Sequence, residues 1–304
     1  MPFSTLSAPV RATLLTLAAM GLFATMGVTI RLSSEELHPL VIVFFRTFFG
    51  LLLFTPMIWR RGLSVLHTRR LPLYLLRAVF GTLAMTAGFW GLTLIPLAEA
   101  TALNFTAPLF ATMGAVLVLG ERIRFHRTAA LIVGFLGVLI VLRPGAEAFS
   151  AGAWLTIGGA FFIAASIMVI KFLTTTEAPD TIALYMVLLQ TPVALIAALF
   201  VWDWPSLLTL FWLICLATAG TLAHLAWTHA IAIAEVTQLQ PLEFAKLPLT
   251  ALFGYLIFAE TPTVWTLVGG VVIFAATAYI THREARMARR RVVSHPKRAP
   301  IAPG

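Results

Sequence analysis

The sequence predicts an all-α membrane protein with ten transmembrane helices. Of its 304 residues 60% are hydrophobic and only 11% are charged, and the mean hydropathy of +0.95 lies well outside the range of soluble domains. Its apolar runs are continuous and approach the ~20 residues that a spanning helix requires, whereas a barrel would alternate apolar and polar residues. We expect the helices at 11–30, 39–59, 72–92, 98–119, 127–142, 153–173, 181–201, 207–229, 236–258 and 264–281.

The basic residues predict the orientation of these helices. With the N-terminus inside, sixteen Lys and Arg residues fall on the inner links and tails, against two, Arg31 and Arg143, on the outer links. Positively charged links are retained on the cytoplasmic side, so we expect a multi-pass protein of the inner (cytoplasmic) membrane with both termini in the cytoplasm. We interpret the first run, after Arg11, as a retained span. The basic tail at 283–304 then faces anionic lipid head groups, and we expect no nucleic-acid partner.

A weak internal repeat divides the ten predicted helices into two sets of five. At an offset of 139 residues the chain matches itself at three pairs of positions: Gly81 with Gly220, Phe105 with Phe244 and Glu121 with Glu260. Because five is odd, the second copy would enter the membrane from the opposite side. Such inverted repeats are typical of secondary transporters that work by alternating access around a midplane site.

The segment GERIRFHRTAALIVGFLGVLIVLRPG at 120–145 resembles the EamA-type repeat of the drug/metabolite transporter (DMT) superfamily. The whole chain is similar to the YddG-like exporters of aromatic and hydrophobic amino acids. This resemblance implies two inverted five-helix repeats, 1–145 and 151–282, followed by the tail. It also implies a central cavity built from the third, fourth, eighth and ninth helices with the first and sixth. The second copy departs from the pattern, with Ala259 and Glu260 in place of Gly120 and Glu121, so the halves are expected to differ in role.

The ninth predicted helix carries two opposite charges, Glu243 and Lys246, between Pro241 and Pro248. An ionised side chain at mid-membrane costs on the order of 2.5 to 3.5 kcal/mol. A charge pair at this spacing returns only ~0.2 to 0.5 kcal/mol. We therefore expect both side chains to line a water-filled cavity. The alternative is a salt bridge that joins the ninth helix to a neighbour.

Further candidate substrate-binding residues cluster on the same few helices. Asn104 occupies the position equivalent to Glu243 in the first repeat. For each aromatic or sulfur-bearing candidate, ordinary helix packing remains open. We expect Arg46 to snorkel or to cap a helix end rather than to act in the site. The other candidates are Met85, Phe89, Trp90, Phe105, His224, Gln240 and Phe244.

These residues favour a carrier over an enzyme or a channel. The chain lacks G-x-S-x-G and Walker A sequences, and His224 and His229 are spaced i,i+5, which does not place both on one helix face. We expect no catalytic residue, metal or cofactor. Lys246 suits a carboxylate and Glu243 an ammonium, so we predict a monomeric exporter whose small-molecule substrates are hydrophobic, aromatic and related amino acids. Two alternatives remain: a multidrug or lipophilic-cation exporter, and an intramembrane transferase with a histidine base.

Overall fold

The computed structural model describes residues 8–62, 67–107, 109–110, 113–114, 125–142, 150–173, 176–233, 239–276 and 278–279. Within these ranges the secondary structure is helical and contains no strand. The helices are α1 (Ala8–Ser33), α2 (Pro39–Leu53), α3 (Thr55–Arg61), α4 (Leu71–Leu94), α5 (Leu97–Asn104), α6 (Phe125–Leu142), α7 (Ala151–Leu173), α8 (Pro179–Leu199), α9 (Leu207–Ile233), a 3-10 helix (Gln240–Ala245), α10 (Lys246–Phe258) and α11 (Val264–Ala276).

Six apolar stretches of the described chain are long enough to cross a membrane. They lie in α1, α2 with α3, α4, α7, α8 and α9, and shorter apolar helices follow in α6, α10 and α11. The structure therefore shows a helical membrane protein, while a count of ten complete spans stays a prediction. The predicted tail at 283–304 and the two ends of the 120–145 motif, residues 120–124 and 143–145, lie outside the described residues.

Proline positions explain where several helices begin. Four helices, α2, α3, α4 and α8, carry proline in their first turn. The missing N–H of proline costs nothing there, because the first helical N–H groups have no intrahelical partner. Pro56 thereby divides the predicted 39–59 span into α2 and α3, which join at Phe54.

The ninth predicted span is also divided. Residues Gln240–Ala245 form the 3-10 helix, and the α-helical part starts only at Lys246. The prediction of one continuous α-helix over 236–258 is therefore wrong at this point. Glu243 and Lys246 lie on opposite sides of a helix junction instead of one turn apart on a single α-helix.

The two halves pack against each other reciprocally. Helix α1 lies along α9, and its counterpart α7 lies along α4. In the same way α2 contacts α9 while α8 contacts α4, and α1 contacts α10 while α7 contacts α5. Helices α2 and α8 meet at the centre. A pseudo-two-fold relation between the halves would produce this pattern.

Close approach of α4 and α7 depends on glycine. A Cβ placed on Gly159 of α7 would lie 3.0 Å from the backbone nitrogen of Gly88 on α4. On the same pair of helices, a Cβ placed on Gly91 would lie 2.8 Å from the carbonyl oxygen of Gly152. Small residues allow such backbone contact, which drives helix association where lipid removes the hydrophobic effect.

Candidate functional site

Phe23 of α1 connects two of the predicted site residues, His224 and Lys246. The Phe23 and His224 rings meet edge to face with centroids 5.1 Å apart. The Lys246 ammonium lies 5.7 Å from the centroid of the same Phe23 ring. We call Phe23, His224 and Lys246 the central triad. Three elements, α1, α9 and the start of α10, thus converge on one aromatic ring, and the cation gains an attraction to the ring face.

Glu243 supplies a negative charge beside the central triad. Its carboxylate interacts electrostatically with Lys246 across the helix junction. The side chains of Glu243, Lys246 and His224 are each partly exposed, so none of them is sealed in the protein interior. This exposure is compatible with the predicted hydrated cavity.

Four predicted aromatic and sulfur-bearing residues lie in other surroundings. Phe89 is buried in a hydrophobic cluster of α2, α8 and α9 residues, and Met85 packs against that cluster. Phe105 is buried in a second cluster with Leu103 and Leu247. Trp90 is 36% exposed and its ring meets His38 at 5.1 Å. The structure thus places these four side chains in helix packing or at the protein surface.

Asn104 is partly exposed at the end of α5. Its side-chain nitrogen donates to the carbonyl oxygen of Ala100 at 3.0 Å, and its Oδ1 has no hydrogen-bond partner among the described residues. That oxygen is itself buried, so the described residues leave an unsatisfied acceptor at this point. The side chains of Gln240 and Phe244 lie outside the described part of the structure, although both residues belong to the 3-10 helix.

Arg46 differs from its predicted role. It is only 1% exposed and lies within α2, so it neither snorkels to the surface nor caps a helix end. Arg77 of α4, 7% exposed, and Gln190 of α8, 1% exposed, are buried nearby and were missed by the sequence analysis. The available signal was the one that identified Lys246: a charged or amide side chain inside an apolar run. Phe23 gave no such signal, because phenylalanine is common throughout these helices.

A cavity of about 560 Å³ opens between α2, α3, α8 and α9. Its lining includes Arg60, Thr221 and the pair formed by His229 and Asp180, whose Nε2 and Oδ1 atoms are 3.3 Å apart. No group of three or more potential metal ligands occurs among the described residues. The central triad with Glu243 offers an aromatic surface, cationic donors and a carboxylate to an organic ligand.

Two segments of the chain, residues 10–143 and 150–282, match the model of the EamA-like transporter family. The riboflavin transporter of Vibrio cholerae is 35% identical over 74% of this chain and 76% of its own length. The S-adenosylmethionine uptake transporter of Rickettsia bellii is 30% identical over 84% of this chain and 88% of its own.

One solved structure, titled only as the crystal structure of a protein, covers 91% of this chain and 98% of its own with a TM-score of 0.65. At 19% sequence identity this likeness shows the fold alone. The two family matches account for both halves of the chain. Each half is therefore one copy of the same family unit.

Proposed function

The chain belongs to the EamA-like transporter family of multi-pass membrane proteins, and we propose that its substrate is riboflavin or a similar planar aromatic metabolite. As a transporter it is not an enzyme. The observation that carries the choice of substrate is the 35% identity to a riboflavin transporter over about three quarters of both chains. Neither of the two relatives is named for the simple amino acids that the sequence analysis predicted.

The central triad suits the chemistry of a flavin ring. Riboflavin carries a flat aromatic ring system with two carbonyl oxygens on one edge and a hydroxylated side chain. Phe23 offers an aromatic face or edge for stacking. Lys246 offers three donors to the carbonyl oxygens, and His224 offers either a donor or an acceptor to the hydroxyl groups.

A zwitterion such as S-adenosylmethionine is the second candidate. It is supported by the opposite charges of Glu243 and Lys246, which face one junction and act on each other. Lys246 would hold the carboxylate and Glu243 the ammonium, as in the amino-acid hypothesis. The 30% identity to an S-adenosylmethionine uptake transporter points the same way.

The direction of transport belongs to the proposal as well. The sequence analysis predicted export from the cytoplasm, whereas one of the relatives is named for uptake. We propose alternating access in the cytoplasmic membrane, with the substrate gradient setting the direction. A carrier of this kind performs exchange, which allows a direct assay.

Counterflow in proteoliposomes tests the proposed substrate. Vesicles that contain the purified protein are loaded with unlabelled riboflavin and diluted into labelled riboflavin. We expect transient accumulation of label above equilibrium, absent from protein-free vesicles. Accumulation of labelled S-adenosylmethionine alone, in matched vesicles, would select the second candidate. Accumulation of neither compound would contradict both.

A further inference from the structure

Arg46, Arg77 and Lys246 are basic residues within apolar helices of the chain. The structure brings them into one region, because Arg46 acts electrostatically on Arg77 and all three act on His224. Lys246 has Glu243 as a nearby counter-charge. Neither arginine is paired with a carboxylate of the described residues. Two buried positive charges are therefore left uncompensated in a medium where an ion is costly.

Arg46 lies against two glycines, one of which also borders a threonine hydroxyl. A Cβ on Gly220 of α9 would be 3.4 Å from both Nε and Nη2 of Arg46. A Cβ on Gly50 would be 3.8 Å from Nη1 and 3.2 Å from the Thr221 hydroxyl. Nη1 and the Thr221 oxygen have no hydrogen-bond partner in the described part of the chain. The two glycines thus leave room for the Arg46 guanidinium, whose Nη1 can still donate a hydrogen bond to a ligand.

Arg77 occupies the corresponding place on α4. A Cβ on Gly81 would collide with the amide nitrogen of Gln190 and with Arg77 Nη1, so these two side chains meet over the glycine. Arg77 Nη2 lies 3.2 Å from the Met186 sulfur, a weak acceptor. Its Nε and both polar atoms of Gln190 find no partner among the described residues.

One turn of α8 connects the two arginines. Met186 and Gln190 contact Arg77, while Val187 faces Gly50 beside Arg46. Gly81 and Gly220, which face the two guanidinium groups, are equivalent positions of the two repeats. The segment from Met186 to Gln190 therefore lies close to both arginines.

We propose that Arg46 and Arg77, with Gln190 and Thr221, form a buried binding site for an oxyanion, a carboxylate or phosphate group. An arginine fork matches the planar or tetrahedral oxygens of such groups, and an amide and a hydroxyl supply further donors. A bound oxyanion neutralises the positive charges of Arg46 and Arg77, which no carboxylate of the described residues pairs. The site extends the proposed function, because riboflavin itself has no such group.

The cavity between α2, α3, α8 and α9 reaches one residue of this site. Its lining includes Thr221, whose hydroxyl borders Gly50, the glycine that also borders Arg46 Nη1. Arg60 in the same lining adds a positive charge that attracts anions to the cavity. The cavity therefore leads anionic solutes to the Thr221 side of the proposed site.

Thermal unfolding of the purified protein with inorganic phosphate or succinate, against chloride at equal ionic strength, tests the site. A ligand that binds only the folded protein raises the melting temperature, by roughly 5 °C or more near saturation. We expect this rise in the wild-type protein and its loss in Arg46→Gln and Arg77→Gln. Arg70→Gln, which removes an exposed arginine, is the matched control and should keep the rise. General effects of the salts on water would shift the melting temperatures of the wild type and of all three variants alike.

Two outcomes would overturn the site: no rise with either anion in the wild-type protein, or a rise that both arginine variants keep. Removal of an unpaired buried charge should leave the ligand-free variants at least as stable as the wild type. If an arginine variant does not fold, Gln190→Leu removes the amide at similar volume and should reduce the rise.

Riboflavin and riboflavin 5′-phosphate, compared by quenching of flavin fluorescence, separate this inference from the proposed function. If riboflavin 5′-phosphate binds more tightly than riboflavin, and this difference requires both Arg46 and Arg77, the oxyanion belongs to the transported solute. Equal binding of the two flavins, together with the phosphate-dependent rise, assigns the site to a free oxyanion. Riboflavin binding without any anion effect would overturn the site and leave the proposed function. An anion effect without riboflavin binding would support the site and contradict the proposed function.

Discussion

Arg31 and Glu260 form an ion pair, with 2.9 Å between Nη1 and Oε1, where the end of α1 meets the end of α10. Arg31 also donates to the carbonyl oxygen of Ile95 at 2.7 Å, and Glu260 Oε2 accepts from the Leu97 backbone N–H at 2.9 Å. The pair therefore ties α1 and α10 to the connection between α4 and α5. By the predicted orientation, this is the outer end of the bundle.

Loss of this pair should destabilise the protein. Both side chains are largely buried, so Glu260→Gln leaves Arg31 without its counter-charge and should cost about 1 to 3 kcal/mol of unfolding free energy. Thermal unfolding in detergent measures the change. In a double-mutant cycle with Arg31→Gln, the second substitution should add little to the first. Full additivity of the two effects would show that the pair contributes no coupling energy.

A second contact at the outer end, between Glu36 and the residues Ser206 and Thr209, should make the stability of the protein depend on pH. Hydrogen bonds from the Thr209 hydroxyl, and then from the Ser206 hydroxyl and N–H, hold the pKa of the Glu36 carboxyl below its usual range. The folded protein therefore favours the ionised form. This contribution is present above the ordinary pKa of about 4.3 and is lost as pH falls through the lower folded value.

Glu36→Gln checks that assignment. The melting temperature should fall relative to the wild type near neutral pH, and the difference should shrink as pH falls from about 4.3 through the lower pKa of the folded protein, where the wild-type carboxyl also becomes neutral. Glu35→Gln, at the neighbouring position, serves as control and should follow the wild type across the range. A Glu36→Gln difference that stays constant with pH would show that ionisation of Glu36 has no part in it.

Lys246 and Glu243 should separate substrates by charge. Lys246→Met keeps length and apolar packing but removes the donor to a carboxylate, worth about 1.5 to 3 kcal/mol, or roughly 10- to 100-fold in transport of a zwitterion. A cation without a carboxylate should be spared. Glu243→Gln should show the opposite preference. The assay is uptake of labelled compounds into proteoliposomes at matched protein content.

Unchanged zwitterion transport by a well-folded Lys246→Met protein would contradict the substrate role. The interaction with Glu243 would then serve to join the two parts of the ninth span, a structural role that differs from the salt bridge to a neighbouring helix raised by the sequence. Thermal unfolding of both variants distinguishes these cases, because a structural contact should lower the melting temperature of either.

Cysteine labelling tests the predicted orientation. Cys215 is the chain's one cysteine and is replaced by alanine to give a silent background. In intact cells an impermeant maleimide should then react with a cysteine at Ser150, between the repeats, and not with one at His67, before α4. Both positions are exposed in the structure. The reverse pattern would invert the topology deduced from the basic residues.

The six long apolar helices could be predicted from the sequence because their apolar runs are continuous and bounded by charges or proline. The helix predicted at 98–119 is instead interrupted by a turn at Phe105 and Thr106, after α5 ends at Asn104. The interruption at Lys246 could not be predicted, since Pro241 and Pro248 are compatible with either a kinked helix or a 3-10 segment. In the site, Lys246 and His224 were identified because polar groups are rare in these helices. Their meeting through Phe23 depends on packing between α1, α9 and α10, which no local pattern encodes.

The same limit explains the buried arginines. Arg46 was recognised as unusual, yet its burial depends on Gly220, far along the chain, leaving space beside α9. Arg77 and Gln190 acquire meaning only where α4 and α8 meet over Gly81. Sequence reasoning found the rare residues one at a time, and tertiary packing determined which of them face each other.

The affinity for riboflavin of the wild-type protein and of Phe23→Ala, measured by quenching of flavin fluorescence, tests most directly whether the central triad binds substrate. Stacking on an aromatic side chain is worth about 1 to 3 kcal/mol, so Phe23→Ala should bind at least roughly fivefold more weakly. Phe211→Ala, which removes an exposed ring on α9, should bind as the wild type does. Equal affinities of wild type and Phe23→Ala would contradict the placement of the substrate at the Phe23, His224 and Lys246 site.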